Sequence, residues 1–302
     1  LPTPMQRRIT PITLLLATAP FSSLFPEVPV TALPPIIVTA AAHDQPLAEA
    51  PYSAHLLTRE RMEVMQPQSF PEALKEIPGV FIQQTAHGQG SPFIRGFTGF
   101  RNLAMIDGIR LNNSVFREGP NQYWSLIDSL SLESIEVVKG QGSVLYGSDA
   151  IGGVVNALTE GPVYRAPAAQ TASSKSVAAG QAEAIGPYFT GGSSVRYATA
   201  ENSWIGRVEG SISEAEKYGL HLGLTGGLFG DLRAADLGTL SHTSYDEFGV
   251  DAKFEYFLSK DAKLTLAHNQ FHQDDVWRTH RTIYAVPFSG TDVGSEKEHY
   301  FD

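Results

Sequence analysis

Ser134-Ile-Glu-Val-Val-Lys-Gly-Gln-Gly-Ser-Val-Leu-Tyr-Gly-Ser-Asp-Ala-Ile-Gly-Gly-Val-Val-Asn156 is the stretch on which the fold of this chain turns. Ile135 to Val138 is a β-branched run that reads as a strand. It enters a glycine-dense segment from Gly140 to Gly153. Gly140, Gly142, Gly147, Gly152 and Gly153 allow positive φ and close backbone approach, so the chain turns sharply there. Ser143 to Tyr146 fits one helical turn, after which Ile151-Gly-Gly-Val-Val returns as a strand. The spacing fits no nucleotide site: there is no G-x-x-x-x-G-K-[ST], and Gly140-Gln-Gly142 lacks the third glycine of a dinucleotide fingerprint.

Working outward, residues 59–160 carry the punctuation of a compact α/β unit. Ser69 with Glu72 has the form of a capping box, and the short helix it opens must end near Pro78-Gly79. Val80-Phe81-Ile82 reads as a strand. Leu103 to Ile106 and Ile109 to Leu111 are strands around Asp107-Gly108, a two-residue hairpin signal. Residues 161–187 lose that order to Ala, Ser, Gln, Pro and Gly and read as a linker.

From residue 188 the period becomes two. Trp204, Gly206, Val208, Gly210 and Ile212 alternate with Arg207, Glu209, Ser211 and Ser213. Tyr218, Leu220, Leu222, Leu224 and Leu228 oppose Lys217, His221 and Thr225. Phe248, Val250, Ala252, Phe254, Tyr256 and Leu258 oppose Glu247, Asp251, Lys253 and Glu255. A strand near Lys263 and a weaker one near Val195 and Tyr197 extend the series. Strands of about 10 residues with one apolar and one charged, glycine-rich face follow the lipid-out, lumen-in pattern of a transmembrane β-barrel. A soluble antiparallel sandwich also alternates, but strand length, an N-terminal signal and the charged second face together favour the barrel pattern.

Composition bounds the chemistry. The 302 residues hold 42% hydrophobic and 18% charged side chains, 28 Gly, 19 Pro and no Cys. That excludes a disulfide scaffold and any cysteine-ligated metal. A net charge of −10 argues against a nucleic-acid partner. No run of about 18 apolar residues marks a transmembrane helix. At the N-terminus, Arg7 and Arg8 precede an apolar run from Ile9 to Ala19, the form of a secretory signal. Small-x-small triplets lie at Ala17-Thr18-Ala19 and Val30-Thr31-Ala32. The second is favoured, since the first leaves Pro20 at the new terminus. Residues 1–32 are therefore read as the signal, and 33–58 as an extended, mobile lead.

Four stretches in order and spacing now carry a resemblance: 70–80 (Phe-Pro-Glu-Ala-Leu-Lys-Glu-Ile-Pro-Gly-Val), Ile94-Arg-Gly96, Met105-Ile-Asp-Gly-Ile109 and 134–156. Residues 36–160 resemble the plug domain of TonB-dependent outer-membrane receptors, and 188–302 look like the first five or six strands of their barrel. The implied fold is an α+β plug followed by antiparallel transmembrane strands. Such plugged barrels run to about 22 strands. An arc of five or six has two open edges, so the expectation is the N-terminal part of a longer receptor. The resemblance implies localisation in the outer membrane, contact with its lipid, and energised uptake of a small ligand such as an iron–siderophore, haem or cobalamin. It implies no enzyme activity and no covalently bound cofactor. A non-transporting outer-membrane protein or plug-like signalling module, and a soluble periplasmic β-rich binding protein, are the competing readings.

The resemblance also assigns residues. Ile36, Ile37, Val38, Thr39 and Ala40 resemble the TonB box, and a β-branched extended segment can add as a strand to a partner's sheet edge. The alternative is an ordinary first strand of the plug. In the family, the Arg of Ile-Arg-Gly and a second plug arginine pair with barrel carboxylates. Arg95 matches the first, and Lys139 stands at the second, without Arg's bidentate fork. Gly96 and Gly108 join the turn glycines. The chain departs from the family at 140–143, where Gly-Gln-Gly-Ser replaces Gly-Pro-small-Ser. His268 and His272, with Asp274, Asp275 and His280, are weak metal candidates. Four strand residues at about 3.3 Å separate the first two by about 13 Å, too far for one ion, so a solvated loop is the better reading. His87, beside Gly88, reads as a turn residue or an apical ligand contact. No G-x-S-x-G or H-E-x-x-H supports a hydrolase.

The signal reading predicts that the exported protein begins at Leu33. N-terminal sequencing checks this, and a mature chain beginning beyond Ala40 removes the TonB-box assignment.

Overall fold

The computed structural model describes residues 36–37, 45–50, 53–111, 122–165, 186–235, 238–240 and 243–276. The signal at 1–32, Val38 to Ala40, most of the linker and His280 lie outside them. Ile36–Ile37 (β1) pairs antiparallel with Gln45–Pro46 (β2).

The first layered unit is a sheet of Ser53–Thr58 (β3), Asn102–Ile106 (β6), Ile109–Arg110 (β7), Leu132–Lys139 (β8) and Gly153–Thr159 (β9). Its order is β3-β8-β9-β6-β7, antiparallel except for the parallel β6–β9 pair. A hairpin of Val80–Ala86 (β4) and Gln89–Ile94 (β5) stands beside it. Short helices Arg59–Met65 (α1), Phe70–Ala73 (α2) and Ser143–Tyr146 (α3) fill the corners. The sheet is covered on both faces, which is why β8 is buried without a break from Ile135 to Lys139 and not at alternate positions. One core contains Phe70, Leu74, Trp124, Ile135, Val137 and Val155. The other contains Leu103, Met105, Val138, Ala150 and Val154.

The turns follow from the residues that make them. Asp107 and Gly108 take φ of 49° and 79°, the left-handed pair that a two-residue hairpin requires. The Asp107 carboxylate accepts from the Thr159 backbone N–H (2.9 Å) and from Thr159 Oγ1 (2.6 Å), tying the turn to β9. Gly96, Gly140 and Gly147 also lie at positive φ. Gly153 is required for approach and not for angle: a Cβ there would sit 2.7 Å from the Val138 carbonyl oxygen. Gly142 and Gly152 face comparably tight neighbours.

Two readings are corrected. Ser69 makes no side-chain cap on α2, although it is the N-cap residue. Pro71 removes one of the N–H groups it would bind, and the Glu72 N–H bonds instead to the Ser69 carbonyl at 3.0 Å. Glu72 reaches back one residue further, to the Gln68 N–H at 2.8 Å. Second, the stretch read as a mobile lead contains β3, whose ladder partner β8 lies far along the chain. Helix α1 goes beyond these readings; Thr58 caps it by accepting from the Arg61 N–H.

The second unit is an antiparallel sheet of Tyr188–Ala198 (β10), Ser203–Glu214 (β11), Tyr218–Phe229 (β12), Tyr245–Ser259 (β15) and Ala262–Asp274 (β16), in that order. Between β12 and β15 lies a small hairpin of Arg233–Ala234 (β13) and Gly238–Thr239 (β14). Among the described residues the sheet is open, with β10 and β16 at its edges. Trp204, Val208, Leu222, Leu224, Leu228 and Phe248 stand about half exposed on the outer face. Arg207, Ser211, His221, Thr225, Glu247 and Asp251 are buried on the inner one. The polar face is buried because the first unit packs on it.

Phe70 is fully buried and meets Trp124 at a ring-centroid distance of 6.3 Å. Phe70→Ala is expected to destabilise the first unit by about 3–5 kcal/mol, measured by denaturant unfolding of the micelle-bound chain followed through Trp124 fluorescence.

Candidate functional site: the plug–wall interface

The inner face of the open sheet is a wall that grips the first unit through buried charge. Arg207 on β11, 4% exposed, is its centre. Its guanidinium forks onto Asp251 of β15, Nη1 to Oδ1 at 2.6 Å and Nη2 to Oδ2 at 3.1 Å. Nε donates to Glu209 at 2.7 Å, and Nη1 also donates to Thr225 Oγ1 at 3.2 Å. Two carboxylates of the first unit complete the shell: Glu160 at 3.3 Å and Asp128 at 3.9 Å. Arg59, at the start of α1, makes the reciprocal contact, reaching Glu209 at 3.0 Å and pairing with Glu160. A bidentate, planar donor fits such a cluster where Lys could not.

Asp128 accepts from the Leu130 N–H at 2.9 Å. Burial pushes its carboxyl above the ordinary Asp range, against the pull of its hydrogen bonds and of Arg207. Glu160, Glu209 and His221 present ligand atoms within 4.8 Å of one another. Arg59 and Arg207 already occupy those carboxylates, so the cluster is an internal ion-pair network.

A second clip lies nearby. Lys253 of β15 donates to the Thr159 carbonyl at 2.8 Å and pairs with Asp107 at 3.1 Å. The chain leaving β9 then runs along the wall. The Val163 N–H donates to Ser211 Oγ at 3.0 Å, Ser213 Oγ donates to the Val163 carbonyl at 2.6 Å, and Tyr164 donates to Glu255 at 2.9 Å.

The residues expected from sequence fall elsewhere. Arg95 is exposed at φ 51°. Lys139 donates to the Pro78 carbonyl at 2.6 Å, and burial, then Arg95, lower its pKa. Among the described residues neither meets a carboxylate of the wall. His268 and His272 are exposed on β16, and His272 pairs with Asp274 at 3.1 Å. Ile36 and Ile37 lie in β1. The sequence reading missed Arg59, Asp128 and Glu160 altogether. The available signal was opposite charge: two cations, Arg207 and Lys253, on the alternating polar face, and acids at the end of the preceding unit.

Residues 46–154 match the family model of the TonB-dependent Receptor Plug Domain. Over those residues the chain is similar to the plug of TonB-dependent receptors, and its relatives point the same way. Relatives include a vitamin B12 transporter of Vibrio vulnificus, 39% identical over 127 residues, covering 41% of this chain and 20% of the relative. An iron-regulated outer membrane virulence protein of Vibrio cholerae is 38% identical over 130 residues, with the same coverage. The chain thus spans about a fifth of the length of these relatives. The fold also matches the pyoverdine outer membrane receptor of Pseudomonas aeruginosa, with TM-score 0.56, 17% identity, and coverage of 79% of this chain and 30% of that one. A siderophore receptor of Acinetobacter baumannii gives 0.55, 19%, 76% and 27%. The plug is followed by antiparallel wall strands, as in those structures.

Arg207→Met should leave Asp251 and its companions buried without their cation, costing about 3–5 kcal/mol. The expected result is plug cleavage by limited proteolysis under conditions where the parent resists. Arg207→Met combined with Asp251→Leu should recover part of that protection, since both charges are then gone.

Proposed function

We propose that this chain supplies the plug and the first wall strands of an outer-membrane receptor that takes up a scarce ligand under TonB-delivered energy. The observation that carries the reading is the two-faced sheet. Its outer face is apolar along strands of membrane-spanning length, while its inner face is saturated by ion pairs to a plug. A soluble sandwich buries its apolar face and leaves the charged one in water. The connections support an orientation: 215–217 and 260–261 are short, as periplasmic turns are, whereas 230–244 is longer and carries its own hairpin.

The outer membrane holds no ATP, so the work of moving a plug must come from a partner and not from chemistry within this chain. Segment 36–40, ahead of the plug, suits strand addition to TonB. The ligand class rests on the relatives: a vitamin B12 transporter and iron-regulated or siderophore receptors favour cobalamin or an iron chelate. The protein binds and releases its ligand unchanged and has no enzymatic step. Arg95 and Lys139 are proposed to act as cationic contacts of the plug with wall outside the described strands.

In a full-length receptor carrying these residues, Val38→Pro is expected to abolish energised uptake and leave ligand binding intact, because proline removes a backbone donor from the added strand. Uptake of radiolabelled cobalamin and of iron chelates by cells, measured beside binding at 0 °C, checks this. Loss of binding and uptake together would assign Val38 to the fold.

A further inference from the structure

The contact at the tip of hairpin β4–β5 has a chemistry of its own. His87 is buried there against the wall, at 7% exposure. Its ring meets Phe229 and Tyr245 edge-on, at centroid distances of 5.8 and 5.3 Å and interplanar angles of 85° and 87°. Those two wall rings, at facing ends of β12 and β15, stack on each other at 4.2 Å. Gln68 holds the imidazole from the plug side, its Oε1 lying 3.2 Å from His87 Nε2. The amide orientation is fixed independently, since Gln68 Nε2 donates at 2.6 Å to the carboxylate of Glu201, which only accepts. His87 Nε2 therefore carries the proton. Nδ1 is buried with no hydrogen-bond partner. The site is built for a neutral ring with one N–H.

We propose that His87 is a proton-operated catch: neutral, it holds the plug tip against the wall, and protonated, it lets the tip go. An imidazolium would place a charge out of water, edge-on against the stacked Phe229 and Tyr245, and add an N–H at Nδ1, which has no hydrogen-bond partner in the docked ring. The groups that oppose release are few. Glu201 at the β10–β11 turn, Glu72 of α2 and the Thr243 carbonyl face the ring and favour the cation. Tyr245 is the other titratable group in contact. Burial outweighs them and lowers the imidazole pKa below its ordinary 6.5. A released tip binds protons more readily than a docked one, so docking is fully stable above about pH 6.5 and weakens as pH falls below it. The inference rests on the docked geometry and is independent of the transport reading.

The test is hydrogen–deuterium exchange of peptides covering 80–94 in the 302-residue chain in detergent micelles, corrected for intrinsic rate, at pH 7.5 and 5.5. The parent is expected to lose protection at the tip by up to about tenfold per pH unit once His87 is the titrating group. His87→Phe keeps an aromatic ring against the stacked Phe229 and Tyr245 but cannot take a proton, so its protection should not change between the two conditions. An equal pH response in both proteins would overturn the catch and place the titration on Glu72, Glu201 or another histidine. A parent with no response would overturn it too. Should His87→Phe fail to dock at pH 7.5, the ring titration of His87 in the parent, read by NMR, decides: a midpoint at or above 6.5 rejects the proposal, and one below it that coincides with loss of tip protection supports it.

Discussion

The structure depends on a charge that has nowhere else to go. Arg207 points inward from a strand whose opposite face is apolar, and it is almost wholly excluded from water. A buried guanidinium is tolerable only if it is paired and its donors are used. Asp251 supplies the fork from within the wall, but Asp128 and Glu160 come from the plug. The wall is therefore incomplete without the plug in an energetic as well as a geometric sense. The same holds in reverse for Arg59, which leaves the plug to find Glu209.

This arrangement divides the plug by how it is held. The segment 159–164 and the Asp107 turn are fixed to β11 and β15 by Lys253, Ser211, Ser213 and Glu255. The helix start at Arg59 is fixed by the same cluster from the other side. Strand β3, by contrast, lies at the edge of its sheet, bound on one side by the β8 ladder. β3 is held by one ladder and by Leu57 in the first core, whereas β8 and β9 are each held by two ladders.

Glycine serves the same end at a finer scale. Gly153 admits the Val138 carbonyl at a distance no side chain allows, so β8 and β9 can close over the segment between them.

Much of this was legible in the sequence. The period-two segments identified the wall strands and the inward face of each, since alternation is set by strand geometry alone. Asp107-Gly108, the glycine-dense segment 140–153 and the turn at Ser143 were fixed locally, by allowed φ and by side-chain size. What sequence could not give was partnership. β3 looked like a lead because its stability comes from β8, far along the chain. Ser69 looked like a cap because the cost of Pro71 at the next position but one shows only when the N–H groups are counted. Arg207 and Asp251 were read as facing a lumen, and Asp128 and Glu160 were not read as site residues. Sequence determined the sign and side of each charge; only the tertiary structure decided which charges meet, because ion pairing acts through space and is fixed by how two sheets dock.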